Sequence, residues 1–297
     1  MLINKLVKKC DERYKDIMES CQCDVSKCVN HKGRDCYDCL HEIHYPKSGV
    51  PKRTYDCAIM ADYYYCRYSY RYASEIICGL RHLGDIGSAG KIKVLSIGCG
   101  PCTELAAIDY LQKKGVYNYK EIDFRGIDLL KDIWGNIWGD IEDIYQGKVT
   151  LIEKNALEYV DILAKENWVP DLIIFQYVFS DMRKKYSYEQ ICHFIDKISE
   201  FINTQTGKNI YILINDTNAG INYNAGRDFF DILEDKIINK LETMRYHFNI
   251  DYKDKHYEYG THYVGNELFF VIPKDIRARY NPWASCASAQ IIIKKAA

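Results

Sequence analysis

The sequence predicts an α/β fold, with a mostly parallel sheet covered by helices on both faces. Three observations predict it. From residue 91 onward, short apolar runs alternate with longer segments of helical period. The runs are dense in Val, Ile and Leu, as in strands buried on both faces. The first run ends in glycines that open directly into a helix, at Lys91 to Tyr110, KIKVLSIGCGPCTELAAIDY. Val94, Leu95 and Ile97 make the strand, Gly98, Gly100 and Pro101 break it, and Leu105, Ala106, Ile108 and Leu111 resume at helical spacing. Glycines let a ligand reach the backbone there, and the helix amino terminus offers unpaired N–H groups to an anionic or polar ligand.

The chain has 297 residues, enough for one large domain with an appendage. Hydrophobic residues make up 47% and the net charge is −1, so a packed core is expected and bulk charge advertises neither nucleic acid nor membrane. No apolar run of transmembrane length and no signal-peptide pattern is visible, so a cytoplasmic protein with no membrane partner is expected. In that setting the 13 cysteines point to metal or reduced thiols rather than disulfides.

Residues 2 to 18 place Ile3, Leu6, Val7, Cys10, Tyr14, Ile17 and Met18 at helical spacing, which predicts a helix packed on the main domain. Residues 21 to 44 follow, CQCDVSKCVNHKGRDCYDCLHEIH. Cys36-x-x-Cys39 is a knuckle spacing that turns two thiolates toward one ion. Cys28 and either Cys21 or Cys23 complete a tetrahedral set, with His31 as a substitute. The set predicts structural zinc, because enough thiolates are present to close the coordination sphere. The segment has little apolar content, so the metal is expected to supply its stability. Pro46, Gly49 and Pro51 mark a linker. The expected division is an N-terminal module over 1–57 and a main domain over 58–297, whose first part, 58–90, is a preceding helix.

That helix is predicted from about 58 to 82, with Ala61, Tyr65, Tyr68, Tyr72, Ile76 and Gly79 as its buried stripe. A second stripe, Tyr63, Tyr64, Arg67, Tyr70 and Arg71, offers planar and cationic groups for phosphate contact and base stacking. Strands are then expected near 93–97, 122–127, 148–152, 171–176 and 209–214. Helices are expected near 102–114, 130–145, 155–166, 187–203 and 226–243. The tail from 244 should supply the last two strands, one near 288–294, as an antiparallel hairpin at the sheet edge.

A dinucleotide fingerprint needs a third glycine after Gly98 and Gly100, and Thr103 stands there instead. The second strand ends in Asp128, placed to hold a ribose diol. Four segments, LSIGCGPCTEL, GIDLL, EKNALEYV and PDLIIFQYVFSDM, resemble the class I methyltransferases dependent on S-adenosylmethionine (SAM) over roughly residues 90 to 295. The resemblance implies a seven-stranded sheet of that type, SAM as cofactor and S-adenosylhomocysteine as product. It implies that Gly98 and Gly100 admit the cofactor, that Glu104 faces its amino group, and that Asp128 holds the ribose. Leu129 would lie against the adenine, and Asn155 and Ala156 would contact its exocyclic amine. Gln176, Tyr177 and Phe179 would stand between methyl donor and acceptor, and Tyr64, Arg67, Tyr68 and Arg71 would touch the methionine end or the substrate. Tyr177, Asp181 and Asp216 are the candidates for catalytic groups. Each acid also has a plain alternative as a helix cap or turn residue.

No Asn-Pro-Pro-Tyr or Asp-Pro-Pro-Tyr segment follows the fourth strand, and Cys192 does not follow a proline, so nucleobase-amine and cytosine-C5 chemistries are disfavoured. The acceptor stays open among RNA, protein and small molecules. The leading expectation is an active methyltransferase whose zinc module helps to hold substrate. The alternatives are a non-catalytic SAM-binding assembly factor that contacts RNA or protein through the zinc module, and a nicotinamide-dependent oxidoreductase.

Overall fold

A computed structural model describes residues 1–18, 36–45, 54–83, 86, 90–219, 225–248, 259–260 and 262–297. Three helices precede the sheet: α1 (Leu2–Met18), α2 (Cys36–His44) and α3 (Ala58–Arg81). The alternating part follows as β1 (Lys91–Ile97), α4 (Thr103–Lys113), β2 (Glu121–Asp128), α5 (Lys131–Tyr145), β3 (Val149–Glu153), α6 (Ala156–Leu163) and β4 (Leu172–Gln176). It continues with α7 (Val178–Lys185), α8 (Tyr188–Thr204), β5 (Ile210–Thr217) and α9 (Asp228–Lys236). The chain ends with β6 (Lys240–His247), β7 (His262–Tyr263), α10 (Lys274–Tyr280) and β8 (Ser288–Lys295).

The strand order is β3-β2-β1-β4-β5-β8-β6-β7, seven full strands and the two-residue β7. β1 to β5 pair in parallel, as the apolar runs predicted. β8 is antiparallel to both of its neighbours, with Ile212 opposite Ile293 on one side and Thr243 opposite Ile293 on the other. The expected edge hairpin is therefore corrected: β8 is wedged between β5 and β6. Its burial explains why. Ile291, Ile292 and Ile293 are all fully buried, which an edge strand with one exposed flank does not need. The helix expected over 226–243 also stops early, at Lys236. Asn239 takes φ 54°, and the chain turns there into β6.

The sheet separates two apolar layers. Leu95, Ile97, Ile173 and Phe175 face α6, α8 and α9, while Val94, Phe124, Leu172 and Ile174 face α3, α4 and α5. α1 lies outside the second layer, its Ile3, Leu6, Val7, Cys10 and Tyr14 buried as its spacing predicted, and Leu2 buried with them. It is pinned by charge as well. The Arg13 guanidinium bridges Asp62 of α3 and Asp140 of α5, and Asp11 accepts from the Tyr280 hydroxyl of α10 at 2.8 Å.

The stripe expected on α3 is corrected too. Tyr63, Tyr65, Tyr68, Tyr70 and Tyr72 are all buried, so the helix is covered around nearly its whole circumference. α1, α2, α10 and the C-terminal segment supply that cover. In the cysteine-rich region, Cys36 and Cys39 fall in the first turn of α2, in place of a knuckle turn. α2 buries Cys36, Leu40 and Ile43 in the core shared with α3, so apolar contact also holds it. Cys21, Cys23, Cys28 and His31 lie outside the described residues.

Candidate functional site

The parallel strands present their carboxyl ends on one edge, and the order reverses between β1 and β4, which opens a crevice there. The loop after β1 lines it. Gly98 takes φ 64° and Gly100 φ 45°, backbone that a side chain would strain. A Cβ on Gly98 would also lie 2.9 Å from a methyl of Val178. Cys102 begins α4 from the left-handed region at φ 56°. The Trp138 indole N–H holds the loop from beneath by donating to the Gly100 carbonyl at 2.7 Å.

Asp128 closes the loop from β2. One carboxylate oxygen accepts from the Gly100 N–H and the other from the Leu130 N–H, both at 2.9 Å. Burial raises its pKa above the ordinary carboxylate range, while these two bonds act the other way. The carboxylate thus stands against the glycine loop. Leu129 is 43% exposed on the rim.

Glu104, in the first turn of α4, is buried at the inner end of the same loop. One oxygen accepts from the Ser96 hydroxyl at 3.0 Å, and the other has no hydrogen-bond partner. Burial pushes its carboxyl up to about 7. A buried carboxylate with one open oxygen suits a cationic partner.

The β3 and β4 ends hold the other predicted residues. Asn155 caps α6, accepting from the Leu157 N–H at 3.0 Å, and Ala156 begins that helix. Gln176 is buried and used at both ends: its oxygen accepts from Thr103, and its amide donates to the Tyr72 carbonyl at 2.8 Å. It therefore ties β4 to α3 and α4. Tyr177 sits in the left-handed region at φ 58°. Its hydroxyl donates to Glu75 at 2.8 Å and accepts from Arg71 at 3.2 Å. Phe179 is fully buried and stacks between Phe175 and Phe229, away from the crevice. Asp216 is fully buried, with its oxygens taken by the backbone N–H groups of Ser180 and Thr217, and burial raises its carboxyl to about 6. It braces the β5 turn. Asp181 is exposed on α7 and pairs with Lys184 at 2.7 Å.

Over the crevice lies an aromatic wall from α3. Tyr64, Tyr68 and Tyr72 follow one another four residues apart, and Tyr72 meets Tyr177 at 4.6 Å. Arg67 points its guanidinium to the carbonyls of Tyr280 and Asn281, both at 2.7 Å, and so holds the C-terminal segment. Four residues that the sequence did not single out complete the wall. Trp134 packs on Tyr55 and Tyr64 beside Gly100, and its indole N–H is buried without a partner. Trp283 lies under the Arg71 guanidinium at 4.2 Å. His44 stacks on Tyr68 and is kept neutral by burial, its pKa lowered to about 4. Glu75 was missed as well. It is wholly buried and accepts from Arg71, Tyr177, Asn215 and the Ala287 N–H. An acid inside the apolar run of α3 was its only sequence signal.

Among the described residues, no group of three or more His, Cys, Asp or Glu side chains is arranged to hold a metal. No protein-family model and no curated protein matches the chain. Solved structures to which the chain is similar include a SAM dependent methyltransferase from Archaeoglobus fulgidus, at 15% identity over 75% of this chain and 94% of that one, with TM-score 0.40. Another, from Aquifex aeolicus, shares 13% identity over 76% of this chain and 92% of its own, with TM-score 0.41. A rRNA methylase from Streptococcus thermophilus shares 10% over 76% and 95%, also with TM-score 0.41.

Proposed function

We propose that the chain is a SAM-dependent methyltransferase. The observation that carries the reading is the Asp128 carboxylate bonded across to the Gly100 N–H, at the carboxyl ends of β2 and β1. It puts a diol-binding acid beside a backbone cradle at the switch point of the sheet. Bound SAM supplies an electrophilic methyl on a sulfonium. Asp128 holds the ribose, Glu104 receives the ammonium on its open oxygen, and Gly98 and Gly100 let the ligand lie on the backbone. Trp134, Tyr55 and Tyr64 exclude water above it. Leu129, Asn155 and Ala156 border the adenine end, and Gln176, Tyr64, Arg67 and Tyr68 frame the methionine end.

In-line transfer depends mainly on holding donor and acceptor at attack distance. Tyr177 is the residue best placed to orient the acceptor, because Glu75 and Arg71 fix its hydroxyl from two sides. Asp216 supports that turn, and Asp181 stands at the mouth.

The zinc module belongs to the same reading. Cys36 and Cys39, one helical turn apart, supply two thiolates on one side of α2. Two more ligands would come from Cys21, Cys23, Cys28 or His31. Incubating the protein with methyl-labelled SAM and a cell extract tests activity. S-adenosylhomocysteine and a labelled acceptor are expected; tight SAM binding with no product from any extract would leave only a binding factor.

A further inference from the structure

The outer face of α2 carries Tyr37 and His41, and Tyr45 follows directly after the helix, so the three rings lie four residues apart. Tyr37 is 39% and Tyr45 61% exposed, and His41 is exposed between them. Their centroids are 6.0 and 5.0 Å apart, with planes inclined by about 40°. Single exposed rings are ordinary, but this row continues inward. The Arg67 guanidinium lies 4.7 Å over Tyr37 on one side and 5.5 Å from the Tyr68 ring on the other. Arg67 is 6% exposed, and its Nε has no partner. From Tyr68 the planes run on, stacked at 5.7 Å on Tyr72, which reaches Tyr177. A line of flat groups thus leads from solvent to the carboxyl end of β4.

The charge beside this line is positive. α7 ends in Arg183, Lys184 and Lys185. Lys184 is the strongest charge acting on His44, and Lys185 acts on Asp128, so both face this side of the molecule. Asp181 offsets Lys184, and Glu75 offsets Arg71. Asp38 and Glu42 lie on α2 itself. Arg67 is buried and bonded to the Tyr280 and Asn281 carbonyls. Among the described residues, Arg183 and Lys185 form no ion pair, which leaves cationic charge at the end of α7 for an anionic partner.

We propose that this row is a docking track for single-stranded nucleic acid, its bases stacking on α2 and its phosphates meeting the end of α7. The docking does not rest on the methyltransferase reading. Exposed rings need the π-faces of unpaired bases, which a duplex hides. Unpaired cations need a polyanion, and they repel an alkylammonium side chain.

The test is fluorescence anisotropy with a labelled oligouridylate of about ten nucleotides, the matching oligothymidylate, and an RNA duplex of equal length. Calorimetry with S-adenosylhomocysteine is run on the same samples. At least one single strand should bind, more weakly as salt rises, with the duplex about tenfold weaker or worse. The double variant His41→Ala/Tyr45→Ala, on exposed positions, should lose about tenfold in oligonucleotide affinity and keep its S-adenosylhomocysteine affinity. Lys185→Ala should lower the salt slope by about one. The proposal is overturned if neither single strand binds, if the duplex binds as tightly, or if the double variant binds like the parent. Loss of S-adenosylhomocysteine binding alone would count against the cofactor reading and leave the track standing.

Discussion

At the scale of single residues, two carboxylates define the site, and their surroundings set them apart. Asp128 is satisfied by two backbone N–H groups, whereas Glu104 is buried with one oxygen open. A buried acid whose folded pKa lies above its ordinary value favours folding most when protonated in both states. The unfolded chain releases this proton near 4.5 and the folded chain near 7, so stability should fall as pH rises between those values. The loss is on the order of 3 kcal/mol. SAM, whose ammonium needs the ionised form, should bind more tightly across the same interval. Glu104→Gln should flatten both trends in thermal melts and calorimetry, and unchanged trends would show that another group titrates. Asp128 and the glycines were legible in the sequence because strand ends and loop glycines are marked locally. Glu75 and Trp283 were not. Their roles depend on partners more than a hundred residues away in the chain, such as Asn215 for Glu75 and Arg71 for Trp283.

At the scale of elements, α3 decides how the sheet and the outer helices meet. Its periodicity gave its position and length. The sequence overstated its exposed face, because cover by α1, α10 and the tail comes from distant segments. Gly79 shows how closely it is seated: a Cβ there would come within 2.5 Å of the Gln290 oxygen and 2.6 Å of Leu213. Alanine favours a helix interior over glycine by about 1 kcal/mol. Here Gly79→Ala should nevertheless destabilise, by about 1–3 kcal/mol, since the clash meets packed β5 and β8 side chains. Urea unfolding would measure it, and a stabilised variant would mean that α3 is looser than described. The strand-end hairpin was misjudged for a related reason. Aromatic and β-branched content marks the tail as strand-forming and locates β8, but the start of β6 falls inside the helix expected over 226–243, and the insertion of β8 between β5 and β6 is a long-range pairing that no local pattern carries.

At the scale of the whole molecule, one sheet divides two cores, with the crevice on its carboxyl edge and the aromatic wall above it. α2 joins this body through Leu40 and Ile43, and it brings His44 onto the wall. If zinc binds Cys36 and Cys39, protein purified without added metal should carry about one zinc per chain. Chelation should then perturb the cysteine-rich segment while SAM still binds. Elemental analysis showing no zinc, or a Cys36→Ser/Cys39→Ser variant with unchanged protease resistance, would remove the metal.

The central claim is that the Gly98–Gly100 loop and Asp128 form a SAM site. Titration calorimetry of SAM into the parent chain and into Asp128→Ala measures it most directly. The account predicts binding by the parent and a loss of roughly 1–3 kcal/mol in the variant, from removal of charge-assisted hydrogen bonds to the ribose. No heat of binding in the parent, or equal affinity in the two proteins, would contradict it.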